Sequence, residues 1–156
     1  MRNVDPEPCV LIAPRSAADW AAYHDIRRRI LFENRGAHGV YDPNRPDERA
    51  PGHFPRLLVR ASTYVGVVRV DVADGTAYLR RVAIDEPYQR QGLGRTLLAL
   101  AEAFARVQSA TRVESSVARD AVPFYLKCGY QLVAEEEAGA AHPQMYKDLA
   151  RLSTPG

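Results

Sequence analysis

Apolar and polar positions alternate along this chain in segments, and each segment has its own period. "CVLIA", Cys9 to Ala13, reads as a first strand. "SAAD", Ser16 to Asp19, has capping-box form and opens a helix. Trp20, Tyr23, Ile26 and Ile30 then recur at roughly helical spacing, which carries that helix to about Phe32. Glu33 to Arg56 holds four prolines and three glycines and has no clear period. A loop this long inside a compact domain is usually functional or disordered, and the functional reading is preferred. Three strand signals follow: Leu57–Ala61, Tyr64–Val72 and Ala77–Ile84. Asp74-Gly75 between the last two is a hairpin signal, so they form an antiparallel meander and exclude a purely parallel sheet. Leu93, Leu97, Leu100, Ala101, Phe104 and Val107 mark a second long helix. "TRVESSV" reads as a strand and "DAVPFYLKCG" as a short helix that ends at Gly129, a C′ glycine. "YQLVA" and "PQMYKDL" close the chain as strands. There is no internal repeat and no linker, so residues 1–156 are expected to form a single domain.

Charge narrows the choice of partner. Formal net charge is +2, which gives no push toward nucleic acid or an anionic membrane. Only Lys127 and Lys147 are lysines, so the basic residues are almost all arginine, suited to planar contact with anions. Arg27 to Arg29 on the first helix read as a solvated face. Cys9 and Cys128 fit no zinc or CxxC spacing, and a reducing, cytoplasmic setting is expected. The four histidines show no paired ligand spacing, so no metal is expected. The opening "MRNVDPEPCV" lacks a signal-peptide core, and no run of about 18 apolar residues predicts a membrane span.

The informative stretch is "YQRQGLGRTLL", Tyr88 to Leu98, between a strand and a helix. A helix N-terminus has unsatisfied N–H groups and the positive end of the dipole. After a glycine turn these groups form an anion cradle, and Arg90 and Arg95 can add charge-assisted contacts. The dinucleotide fingerprint fails because Leu97 stands at its third glycine, and no Walker A pattern occurs. On spacing alone, a phosphate cradle and a plain turn stand level.

"QRQGLG" resembles Q/R-x-x-G-x-G/A, the pyrophosphate loop of the GNAT superfamily of acyl-CoA-dependent N-acetyltransferases. "LRRVAIDEPYQRQGLGRTLL" is similar to the family's strand, loop and helix around that motif. "AVPFYLKCGYQLV" is similar to its "A..FYEK.GF" segment, and "HPQMYKDL" to an H-x-x-M ending of some small bacterial members. The resemblance is strongest from Ala77 to Val133. It implies an α/β (α+β) fold: a mixed, mostly antiparallel, twisted sheet of about six to seven strands with about four helices.

For the chemistry, the resemblance implies acetyl-CoA as acyl donor. The loop of Arg90, Gln91, Gly92, Leu93, Gly94, Arg95 and Thr96 would wrap the pyrophosphate. Val82, Ala83 and Ile84 would pair with pantetheine as with an added strand. A bulge in that strand, which the sequence does not reveal, would open the gap for the acyl arm. Tyr125 matches the tyrosine that protonates the leaving sulfur. Glu33 is placed first as the base that neutralises the amine, ahead of Glu114 and His53. Ala118 departs from the polar residue common at its position, which bears on one acyl-CoA contact. Leu126 and Tyr130 depart more mildly, and Cys128 reads as a small buried hydrophobe.

The acceptor is expected opposite the cofactor, between Glu33–Arg56 and about Ala134–His142. The first segment holds four acidic and four basic residues, a balance that selects no substrate charge. Glu135 to Glu137 offer an acidic rim to a cationic amine, or a plain solvated turn. Two readings result. One is an N-acetyltransferase acting on a small-molecule, peptide or protein amine, as monomer or homodimer. The other is a non-catalytic acyl-CoA-binding module, and Tyr125 favours the enzyme.

Overall fold

The computed structural model describes residues 8–150; most of the N-terminal stretch read for a signal peptide lies outside them. Seven strands form one sheet in the order β1-β2-β3-β4-β5-β7-β6. They are β1 (Cys9–Ile12), β2 (His53–Arg60), β3 (Thr63–Ala73), β4 (Thr76–Ile84), β5 (Arg112–Ser116), β6 (Gln131–Leu132) and β7 (Gln144–Asp148). Only β4 and β5 run parallel; every other neighbouring pair is antiparallel. The helices are α1 (Ala17–Ile26), α2 (Leu93–Val107) and α3 (Val122–Lys127). The sequence predicts about four helices. Three α-helices form among the described residues, and the remaining helical turns are π or 3-10.

The sheet is covered on both faces. Leu57, Val67 and Ala83 pack under Tyr23 and Ile26 of α1. Leu58, Val68, Val70 and Leu79 pack under Leu97, Leu98, Ala101 and Ala105 of α2. β3 is therefore buried from Val65 to Asp71, which is why it reads as a nearly continuous apolar run. Asp74 (φ 51) and Gly75 (φ 78) make the predicted β3–β4 hairpin with both residues left-handed. Among the described residues, no helix is long and apolar enough to cross a membrane.

α1 starts as the sequence predicts. The Ser16 side chain accepts from the Asp19 N–H, and the Asp19 carboxylate accepts from the Ser16 N–H. After Ile26 the helix widens into a π-helix over Arg27–Phe32, followed by a 3-10 turn over Glu33–Arg35. The three arginines do not form the expected solvated face. Arg27 is buried and donates to Glu48, which also accepts from the Tyr23 hydroxyl. Arg29 makes a two-pronged contact with Asp85 (2.8 and 3.2 Å). Helical spacing cannot tell which of three consecutive arginines a widened turn directs inward.

The long loop is shorter than expected. It contains a 3-10 turn over Pro46–Arg49, and β2 begins at His53 rather than Leu57. β1 pairs only with Leu57–Arg60, so Pro55 lies where β2 has an open edge and a missing N–H is tolerated. Gly66 sets the spacing between β3 and β4. A Cβ there would lie 2.9 Å from the Ala83 carbonyl oxygen and 2.9 Å from Ile84 Cδ1. We expect Gly66→Ala to lose about 1–3 kcal/mol of stability through overpacking. Urea unfolding checks this, and an unchanged midpoint would contradict it.

Candidate functional site

The sheet divides at its middle. β4 and β5 pair from Thr76↔Arg112 to Leu79↔Ser115, and the pairing stops there. On the other side of β4, Arg69 faces Arg80 and Val67 faces Ala83, so Arg81 and Val82 together oppose Val68. This is a β-bulge with one extra residue in β4. Arg81 takes a left-handed conformation (φ 58), a strained state for an arginine that costs on the order of 1 kcal/mol. Beyond the division lies a cleft of about 330 Å³. Val82, Ala83 and Ile84 form one wall, Val117 and Ala118 the other, and Gly94, Phe124 and Tyr125 line it as well.

The glycine loop sits beside this cleft. The Gln89 side chain donates to the Ile84 carbonyl (2.9 Å), and Arg60 donates to the Gln91 side chain (3.2 Å). Arg90 (φ 64) and Gly92 (φ 79) are left-handed. Among the described residues, the backbone N–H groups from Arg90 to Arg95 have no hydrogen-bond partner. Thr96 differs: its N–H donates to the Gly92 carbonyl (3.3 Å) and so belongs to the helix. A Cβ on Gly92 would meet nothing within 4 Å, whereas one on Gly94 would come within 3.1 Å of Phe124 Cζ. Gly92 thus serves the turn and the open cradle, and Gly94 serves the contact with α3.

Tyr125 reaches the cleft from α3. The helix ends in a Schellman motif: the Tyr130 N–H donates to the Tyr125 carbonyl, and the Gly129 N–H donates to the Leu126 carbonyl. Gly129 has φ 92, as its C′ role requires. The ring of Tyr125 stands edge-on to Phe124 and Tyr130. Burial pushes its phenol up to about 12, against a smaller opposite pull from the Ser115 hydroxyl. Tyr125 is therefore protonated at neutral pH.

A second cleft of about 390 Å³ adjoins the first. Leu79, Arg81, Ser116 and His142 line both. Its outer wall comes from the π segment and the long loop, including Phe32, Tyr41 and Glu48. Tyr41 shares a hydrogen bond with His24 Nδ1, and burial raises the Tyr41 phenol. Burial raises the Glu48 carboxyl, but hydrogen bonds from Tyr23 and Arg27 and the charges of Arg27 and Arg69 outweigh it, so Glu48 stays ionised.

None of the three carboxylate or imidazole candidates for the base lines either cleft. Glu33 pairs with Arg28 (3.3 Å). Glu114 pairs with Arg112 (3.3 Å) and accepts from Gln144 (3.3 Å). His53 hydrogen-bonds the Asp47 carbonyl oxygen. Glu135–Glu137 lie on a 3-10 turn away from both clefts, where Glu137 accepts from the Gln144 N–H (3.0 Å). Sequence reasoning missed Arg81 and His142. His142 carried a signal in the H-x-x-M ending; Arg81 carried none, because the bulge that exposes it has no composition. Among the described residues, no group of three or more His, Cys, Asp or Glu could hold a metal ion.

Comparison with known proteins agrees with this geometry. The profile of the Acetyltransferase (GNAT) family matches residues 20–130. The chain is 33% identical over 97 residues to the uncharacterized protein YyaT of Bacillus subtilis (strain 168), over 61% of this chain and 66% of YyaT, just under two thirds of that relative. A structure named for an N-acetyltransferase of Lactobacillus plantarum superposes with TM-score 0.74 at 27% identity, over 91% of this chain and 99% of that one. PaiA N-acetyltransferase of Thermoplasma acidophilum, in complex with coenzyme A, superposes with TM-score 0.68 over 90% of this chain and 99% of that one. At 17% identity it shows the fold alone.

The phenol of Tyr125 makes a pH prediction. The folded state raises its pKa from 10.0 to about 12. The resulting stability is present below pH 10 and is lost as pH rises through about 12, on the order of 2–3 kcal/mol in total. Unfolding measured between these limits should show a shallower alkaline loss in Tyr125→Phe than in the wild type.

Proposed function

The chain belongs to the GNAT family of acetyltransferases, and from that premise we propose that it transfers an acetyl group from acetyl-CoA to a primary amine by direct attack in a ternary complex. One observation carries the reading. The parted strands bring Val82–Ile84, Gly94 and Tyr125 onto a single cleft, next to a row of N–H groups without partners. Acetyl-CoA would supply the thioester and the leaving thiolate. That a fold relative binds coenzyme A supports the fit.

Each group then has a task. The N–H groups from Arg90 to Arg95 wrap the pyrophosphate, with the Arg90 and Arg95 side chains adding charge. Thr96 closes the first helical turn behind them. Val82, Ala83 and Ile84 offer an open strand edge to the amides of the pantetheine arm. Arg81 and Val82, out of register with β3, present backbone N–H groups toward charge developing on the carbonyl oxygen. Tyr125 Oη holds the proton that the departing sulfur takes. A sensor that only binds acyl-CoA has no need of that proton.

The amine must also lose a proton, since a free alkylamine is charged at neutral pH. We assign this to His142, which lines both clefts, because imidazole exchanges protons near neutral pH. Glu33, held by Arg28 outside both clefts, has no such access.

Calorimetric titration should show micromolar binding of acetyl-CoA and none of ATP or NADH. Gly94→Trp should abolish that binding by filling the space toward Phe124; unchanged affinity would remove the pyrophosphate assignment. Tyr125→Phe should lower kcat by about 100-fold or more with acetyl-CoA affinity barely changed. Equal turnover would take Tyr125 out of the mechanism. His142→Gln should lower kcat by about 100-fold with acetyl-CoA affinity barely changed, and equal turnover would point to another base.

A further inference from the structure

The second cleft carries information about the acceptor that the loop's composition conceals. Five arginines line it, Arg27, Arg45, Arg69, Arg80 and Arg81, against three carboxylates, Asp42, Asp47 and Glu48. The carboxylates are largely spoken for. Glu48 holds Arg27 and the Tyr23 hydroxyl. Asp47 faces Arg69 (3.3 Å) and Arg45 (3.7 Å). Asp42 accepts from the Asn44 N–H (2.8 Å). Outside the wall, Asp71 takes two bonds from Arg69 and faces Arg80 at 3.7 Å.

Arg81 is different. Among the described residues it has no carboxylate within ion-pair distance. Its guanidinium lies over the Phe32 ring at 5.0 Å at the junction of the two clefts, half-withdrawn from solvent although the residue as a whole is exposed. Desolvation in the recess lowers its pKa, and the nearby charges of Arg27, Arg45 and Arg69 lower it further. The surroundings therefore favour a negative charge beside it. The backbone at Arg81 is also left-handed, where glycine would be free of strain.

We propose that the second cleft binds an acceptor whose carboxylate lies close to its amine, a small amino acid, with Arg81 as the partner of the carboxylate. The proposal rests on the acetyltransferase reading above. Guanidinium matches carboxylate in a planar, two-bond contact. Because Arg81 lines both clefts, an anion held there leaves the attached amine facing the acyl site. A polyamine would bring further cations to a wall already rich in them. A peptide N-terminus would bring no carboxylate at that distance.

The test uses small paired amines that differ only by a carboxylate: alanine against ethylamine, and serine against ethanolamine. CoA release is followed for each, and acetyl-CoA affinity is measured separately in every variant. The carboxylate-bearing member should have the higher kcat/KM by about 10- to 100-fold, the range of a charge-assisted hydrogen bond. Arg81→Gln should bring that ratio toward one, and Arg81→Lys should keep much of it. A wild-type ratio at or below one overturns the proposal, as does a ratio that Arg81→Gln leaves unchanged. Calorimetry of the same pairs, without cofactor, decides the matter if no acetyl-CoA is bound and the enzyme reading itself fails. Carboxylate-dependent binding that is lost in Arg81→Gln would then uphold the anion site, and its absence would overturn it.

Discussion

The unpaired edge between β4 and β5 is the constraint from which the site follows. A buried strand edge must find partners for its N–H and C=O groups. Here the ladder stops at Leu79 and Ser115, in the middle of the sheet rather than at its border. The division can persist because each half is anchored elsewhere. β4 keeps its antiparallel partner β3, and β5 keeps β7. α2 and α3 cover one face, and the π segment crosses the other side of β4. The result is a deep groove lined with hydrogen-bonding backbone, which suits a long ligand rich in amides.

The second cleft depends on a different device. Arg27, Glu48 and Tyr23 form a buried charged cluster that ties α1 to the loop after it. Breaking one partner of such a cluster is costly, so the loop is held in one place. Arg29, two residues further along the π segment, fastens it to Asp85, where β4 gives way to the glycine loop. The wall of the second cleft and the glycine loop thus share one helical segment as their support. That shared support explains why a segment without periodicity in the sequence is nevertheless well formed.

What the sequence revealed was local. The capping box at Ser16, the Asp74-Gly75 hairpin, the turn at Gly92 and the C′ glycine at Gly129 each depend on a few adjacent residues, and each is present. Features that depend on distant partners were not legible. Arg27 is buried because Glu48 waits for it 21 residues away. The charges of the long loop balance as composition, but Asp47 and Glu48 are paired with arginines and β4 adds Arg80 and Arg81 to the cleft wall. Glu33, Glu114 and His53, the candidates for the base, lie outside both clefts beside polar partners close in sequence, a placement that strand and helix patterns do not register.

The extra residue in β4 also changes how the strand must be read. In a regular strand, Ala77, Leu79, Arg81 and Ala83 would all point to one face. Here Ala77 and Leu79 pack beneath α2, while Ala83 packs beneath α1 and Val82 and Ile84 take the α2 side. The strand is inside out after its midpoint. Losing Arg81 would pair Val82 with Val68 in continuous register and keep the faces of Val82, Ala83 and Ile84. What would be lost is the bulge itself, with the left-handed turn at Arg81 just past the point where the ladder to β5 stops. Length at this point is as much a part of the site as the identity of any residue.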